Sequence, residues 1–438
     1  MNSASNHKSN EDAEPDPPAN VPPAKKKIRR WLVRIAVIVT VVAFVTVALH
    51  LWQERVLGEA SAALERGDAK YAHYLLEGFL NRHPGHQRAM ALQAHTFVAL
   101  GLPDKAIVLF DQIGAADVED VHAWGRALMM KSQWSRALPL LNRVLDVEPD
   151  EPDALYETAA CQVRLGRLAD ALVNVEKLAE NPAQAARGNV FVGTILGDLG
   201  NYDKAAKAFA EVLKHEPNAE NLQVTRDEFF LQYGSTFLRL GRPDEAVERL
   251  KRSVAIRETP DAFVLLGDAA LQLGESEKAA QAWKKAIQLQ PLNGKAREGL
   301  ANIALQKGQP DVALEWLKPL EQFSDVPYST GYLFERTHTL LKNEDEIKKW
   351  REITAKQRRI EELNNDINVL FLESPDSFWA RVIRAHRFAE AGNWSEAELL
   401  LKRLLKEAPA ETFVIELADA VFRRTKLPSI ETLPIDHF

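Results

Sequence analysis

The residues best suited to chemistry are few and poorly grouped. His83-Pro84-Gly85-His86 places two imidazoles in one short loop, the nearest approach to a metal-ligand pair. No Cys or carboxylate stands at ligand spacing beside them, so they read as loop histidines. Glu148, Asp150, Glu151 and Asp153 cluster at a junction between helical patterns, where carboxylates serve as helix-terminal charge rather than as a general acid/base pair. Cys161 is the sole cysteine. It lies in an apolar helical pattern, the setting of a buried structural thiol, and it excludes an intramolecular disulfide. G-x-x-x-x-G-K-[ST], H-E-x-x-H, G-x-S-x-G and C-x-x-C are all absent from the sequence. The sequence therefore points away from an enzyme, with no catalytic residue, cofactor, metal or small-molecule substrate expected.

The 438 residues are 46% apolar and 27% charged, an ordinary globular balance. Net charge is −7, and beyond residue 55 the chain holds 47 basic and 57 acidic residues. A body of that sign lacks the basic face that nucleic acid requires, so no nucleic-acid partner is expected.

Residues 1–30 lack apolar periodicity, are rich in proline and end in KKKIRR, which reads as a disordered tail. Trp31 to Trp52 is an apolar run with one internal charge, Arg34, near enough to its start to snorkel. As a helix it spans roughly 33 Å, the hydrocarbon thickness of a bilayer. Tryptophans mark both ends, and basic residues crowd only the first. The expected topology is single-pass in the cell (inner) membrane. The N-terminus is then cytoplasmic and everything after Trp52 extracytoplasmic or periplasmic. The rival is a cleaved signal peptide with Ala60-Ser61-Ala62 as the small-x-small site, but cleavage there would cut a helical pattern.

The rest of the chain repeats itself. Gly67, Gly101, Gly166, Gly200, Gly241, Gly274, Gly308 and Gly392 each precede an alanine by five residues, and a bulky apolar residue follows four later. The bulky positions are Leu76, Phe110, Val175, Phe209, Leu250, Trp283, Leu317 and Leu401. Most steps are close to 34 residues, and the gap between Gly101 and Gly166 hides a unit with Ser132, Ala137 and Leu141 at the three positions. Each glycine ends a helix in the left-handed conformation, alanine lets two antiparallel helices approach, and the bulky residue fills the same face one turn on. Pro84, Pro149, Pro217, Pro291 and Pro409 close second helices.

This pattern resembles the tetratricopeptide repeat, whose units are helix–turn–helix pairs of 34 residues. Small residues also fall at that family's first packing position: Ala60, Ala94, Ala159, Gly193, Gly234, Gly267, Ala301 and Ala385. The resemblance implies an all-α fold, a right-handed superhelical solenoid of stacked helical hairpins after one transmembrane helix. The expected organisation is a tail (1–30), the membrane helix (31–52) and an array of about eight units (53–320). A degenerate helical region (321–377), a last unit with cap helix (378–424) and a tail (425–438) follow. In the degenerate region, Tyr332–Leu341 with Ile347–Trp350 reads as a worn hairpin, and the charged helix from Ile347 to Leu363 as standing apart from the stack.

In that family the first helices line a concave groove. The resemblance places Leu57, Ala91, Tyr156, Val190, Leu231, Val264 and Val382 along it, with Met129 deeper. It brings Arg88 and His95 of the second unit near His122 and Arg126 of the third, four donors suited to an acidic peptide or a carboxylate. The partner-binding residues expected are Arg88, His95, His122, Arg126, Met129 and Tyr156. The expected function is a membrane-anchored scaffold or adaptor that binds a protein or peptide partner. The alternative is a holdase-like assembly factor for secreted or envelope proteins.

Overall fold

The computed structural model describes residues 24–323 and 325–433, with side chains from Trp31 onward. Most of the expected N-terminal tail, Ser324 and residues 434–438 lie outside the described residues. The chain divides into two compact units, Met1–Thr96 and Phe97–Phe438, within the helix Gln87–Ala99.

In the first unit a single helix, Ala24–Glu65, runs through the apolar segment and onward as the first helix of the first repeat. It begins at Ala24 and takes in the whole basic run, because Lys and Arg are good helix formers and an established helix propagates cheaply. Residues Trp31 to Leu51 are exposed along it, whereas Leu57 and Ala60 are buried against Leu76 and Phe79 of Ala69–Leu80, and Ala63 is buried one turn on. Trp52 stacks on Phe79 with centroids 6.0 Å apart, so it belongs to the first hairpin as much as to the apolar segment.

The second unit is built from antiparallel hairpins. In the third through eighth, the first helices are Val118–Met130, Pro152–Arg164, Ala185–Asp198, Arg226–Arg239, Pro260–Gln272 and Gly294–Gln306. Their partners are Trp134–Val147, Leu168–Glu180, Tyr202–His215, Pro243–Ile256, Ser276–Leu289 and Pro310–Leu317. No strand occurs among the described residues. The repeat glycines named above all have φ between 67° and 78°, and Ser132 adopts 55° in the same role. The bulky residue of every named unit is at most 2% exposed. It fits because the facing residue is small. A Cβ on Gly193 would lie 2.7 Å from the Phe209 ring, and one on Gly234 2.7 Å from Leu250. Gly267 admits the Trp283 ring in the same way. Gly125, which the sequence reading passed over, holds this position against Leu141.

The ninth hairpin, Tyr328–Leu341 with Glu344–Glu373, solves the problem differently. Counted from the turn at Lys342, the small and bulky positions fall to Glu335 and Arg351, which form an ion pair at 3.0 Å, and one residue before them Trp350 stacks flat on Phe334 at 3.9 Å and 7°. Lys342, at φ 60°, makes the turn. The long charged helix does not stand apart as expected. Ile347, Trp350 and Thr354 are buried on its first half, and Leu363 and Ile367 on its second.

That helix carries the chain back toward the third and fourth hairpins. The last hairpin, Phe378–Glu390 with Trp394–Glu407, and the cap helix Thr412–Arg423 share one core with residues 106–165. Asn393 Nδ2 donates to Ser132 O at 2.7 Å, and Ser135 N–H donates to Glu396 Oε2 at 3.2 Å. Arg167 reaches Asp376 at 3.6 Å. The second unit therefore closes on itself through residues 261 apart in sequence.

A non-glycine residue at positive φ is strained by about 1–2 kcal/mol. Ser132→Gly should raise the stability of the repeat body by about 1 kcal/mol, and Gly193→Ala should lower it by about 1–3 kcal/mol through overpacking. Chemical denaturation of the detergent-solubilised protein checks both, and a destabilised Ser132→Gly would contradict the strain argument.

Candidate functional site

The first helices of consecutive hairpins present one face, and side chains one repeat apart meet across it. His122 Nε2 lies 2.8 Å from Glu157 Oε2, and Arg126 Nε 3.1 Å from Glu157 Oε1. Arg187 Nη1 donates to Asp153 Oδ1 at 2.8 Å, and its guanidinium sits 4.0 Å above the Tyr156 ring. Tyr156 in turn packs on Phe191 at 5.2 Å. Further along, Thr194 Oγ1 donates to Gln232 Oε1 at 3.1 Å. In the first unit, Arg88 Nη1 pairs with Glu54 at 2.8 Å, and His95 is half-buried. Arg88, His122 and Arg126, expected to await a carboxylate, are thus joined to carboxylates of the chain itself. The signal was legible, since Glu54 precedes Arg88 by 34 residues and Glu157 follows His122 by 35. Met129 is partly buried against the shared core, while Leu57, Val190, Val264 and Val382 are buried between helices.

The other candidates resolve into structure. Both rings of the HPGH loop pack on Phe79, and His86 Nδ1 accepts the Ala89 N–H at 3.2 Å. Asp150 pairs with Lys177, Glu151 caps its helix at Ala154 N–H, and Asp153 pairs with Arg187. The Arg187 hydrogen bond holds the Asp153 carboxyl below its usual range. Burial pushes the Cys161 thiol up to about 12, which removes its nucleophilic form at neutral pH.

Beyond the paired ladder the same face opens into a cavity of about 610 Å³ across the fifth to eighth hairpins. Leu231, Val264 and Leu265 form apolar wall, Ser235 and the mutually bonded Thr194 and Gln232 form polar wall, and Asp198, Arg239, Asp261 and Lys295 bring charge of both signs. Sequence reasoning named Leu231 and Val264 but missed the charged residues. Asp198 and Arg239 each stand two residues before a turn glycine, a position that carries no distinctive pattern. A second cavity, about 550 Å³, lies where the returning chain meets the fourth hairpin, between Arg164, Phe371, Arg384 and Arg387.

Hairpins at a 34-residue period, left-handed turns and small-to-bulky packing recur through both units. Models of the tetratricopeptide repeat match residues 63–129, 122–187, 193–262, 231–283 and 264–325. The chain belongs to the tetratricopeptide repeat family. Among curated relatives, Hsp70-Hsp90 organizing protein 3 of Arabidopsis thaliana is 26% identical over 170 residues, 37% of this chain and 30% of the relative. Hsp70-Hsp90 organizing protein 1 of Glycine max is 28% identical over 98 residues, 22% of this chain and 17% of the relative. The chain thus spans less than a third of either. The C-terminal part of a repeat protein from Cytophaga hutchinsonii superposes with a TM-score of 0.44 at 18% identity, covering 56% of this chain and 99% of that one.

His122 offers a pH test of the ladder. Burial works to lower its pKa, but the hydrogen bond and charge of Glu157 prevail, and the net shift is upward from 6.5. A raised folded-state value means that the pair stabilises fully below 6.5 and that this contribution is lost as pH rises through the folded pKa. Denaturation midpoints between weakly acidic and weakly alkaline pH should therefore fall more steeply in the native protein than in His122→Gln. Equal slopes would show that the pair does not titrate in this window.

Proposed function

We propose that this protein is a membrane-anchored, non-enzymatic scaffold that holds a peptide segment of a protein partner along the first-helix face of its repeats. The observation that carries this reading is the cavity of about 610 Å³ on that face, with apolar walls and charge of both signs. Such a lining suits a peptide, whose backbone needs donors and acceptors while its side chains need apolar pockets. Arg126, Met129 and Tyr156, with His122 beside them, extend the track within the second unit. Arg88 and His95 are candidate contacts on the first.

Among the described residues one helix is long and apolar enough to cross a membrane, near the N-terminus, a feature shared by anchors and signal sequences. The anchor reading is favoured because the same helix continues into the first hairpin, where Ala60 is fully buried. Removal at Ala60-Ser61-Ala62 would cut a packed element. In this reading the N-terminus is cytoplasmic and the repeats stand on the far side of the inner membrane.

In-cell crosslinking of the full-length protein, with mass spectrometry, tests both parts. One dominant partner should be recovered from the membrane fraction and lost in Asp198→Lys/Arg239→Glu. A partner retained by that variant would move the site elsewhere. A broad spread of unfolded secreted clients would overturn the scaffold in favour of a holdase. A mature chain beginning after Ala62 would overturn the anchor.

A further inference from the structure

Glu321, His338 and Glu346 come together beside the ninth hairpin from three separate segments. Glu321 follows the short turn Lys318–Leu320, His338 lies in the last turn of Tyr328–Leu341, and Glu346 in the first turn of Glu344–Glu373. One ligand atom from each lies within 4.8 Å of the other two. His338 is only 4% exposed, and its Nε2 has no hydrogen-bond partner among the described residues. A buried ring nitrogen beside two carboxylates and bonded to neither is an unfavourable arrangement unless something lies between them.

We propose that Glu321, His338 and Glu346 form a binding site for one divalent cation of the Zn²⁺ class, which staples the ninth hairpin to the end of the eighth. The three residues supply one imidazole and two carboxylates, a mixed N/O set that suits Zn²⁺ and its neighbours better than Mg²⁺ or Ca²⁺. Tetrahedral Zn²⁺ wants ligand atoms about 3.3 Å apart, so the long, exposed Glu321 side chain has only a short way to close. The fourth position then faces solvent.

The surroundings are those of a supported ligand set. His338 is stacked on Phe334, with centroids 6.4 Å apart. Its Nδ1 lies 3.4 Å from the Asn343 amide. With that amide turned so that its oxygen accepts from Nδ1–H, the Nε2 lone pair is free for a cation. Burial also lowers the His338 pKa, which keeps the ring neutral. Glu346 Oε2 accepts from Lys349 Nζ at 2.9 Å and Trp350 Nε1 at 3.1 Å, which fixes the carboxylate and leaves Oε1 to coordinate. The site lies where the repeat has lost its small packing residue, beside the Phe334–Trp350 stack. Coordination there would hold the hairpin from which the chain begins its return.

The test uses the untagged full-length protein in detergent, stripped with a chelator and titrated with Zn²⁺ by calorimetry. Binding of one equivalent, a rise in unfolding temperature, and the visible bands of a four-coordinate ion with Co²⁺ are expected. Glu321→Gln, at an exposed position, should weaken binding by roughly 10–100-fold or more, and His338→Leu should abolish it. The variant His83→Gln/His86→Gln should bind as the native protein does. Absence of saturable Zn²⁺ binding overturns the proposal, as does binding that survives Glu321→Gln unchanged or that disappears with the His83/His86 pair. Should His338→Leu fail to fold, Glu321→Gln decides.

Discussion

Two helices can lie close only where one of them carries no more than a small residue at the crossing. That steric rule governs the molecule. Gly125, Gly193, Gly234 and Gly267 each leave room for a bulky residue that would otherwise collide with a Cβ. The bulky residue removes its whole surface from water, and the register of the hairpin follows from where it seats. Everything on the opposite face, groove included, is positioned by this seating. The ninth hairpin departs from this device: Glu335 and Arg351 stand at the small and bulky positions, and the two helices are joined beside them by the flat stack of Phe334 on Trp350.

Between hairpins the glue changes from apolar to polar. Residues one repeat apart lie side by side on the first helices, so a charge and its opposite about 34 positions on become neighbours, as in Asp153 with Arg187. Partly exposed pairs of this kind contribute modestly to stability. Their larger effect is on what the surface can offer. Where the ladder is complete, the charges already have partners within the chain. Where it stops, between the fifth and eighth hairpins, the cavity walls present charges arranged around apolar surface.

The local code was open to reading because it is local. A turn residue, an alanine and a bulky residue recur at fixed spacing, and the pattern is strong enough to mark Ser132 as a glycine substitute, which its φ of 55° bears out. Gly125 obeys the same spacing, seven residues before Ser132. The partners of the basic residues were harder to read for a different reason. The resemblance groups Arg126 with His122 and with Arg88 and His95 of the preceding repeat, whereas the group it pairs with, Glu157, is in the following one. The return of the chain was beyond reach altogether. Nothing in the period ties Asn393 to Ser132 O, and the amphipathic stretch around Leu363 and Ile367 does not name the surface it covers. The Glu321–His338–Glu346 cluster was hidden likewise, since its members share no spacing that a motif could express.

An open row of repeats is indifferent to its own length: units can be gained or lost at little cost, and its ends fray independently. Joining residues 261 apart ends that freedom. Closure removes the remaining freedom of the last hairpin relative to the third, a cost that the shared core must outweigh. Each hairpin between the contacts sets part of the rotation that brings the last one home. Deleting or duplicating any of them would leave the final hairpin facing solvent. A lineage carrying this arrangement is therefore held to its number of units, and length variation is confined to loops such as residues 218–225 and to the segments outside the closure.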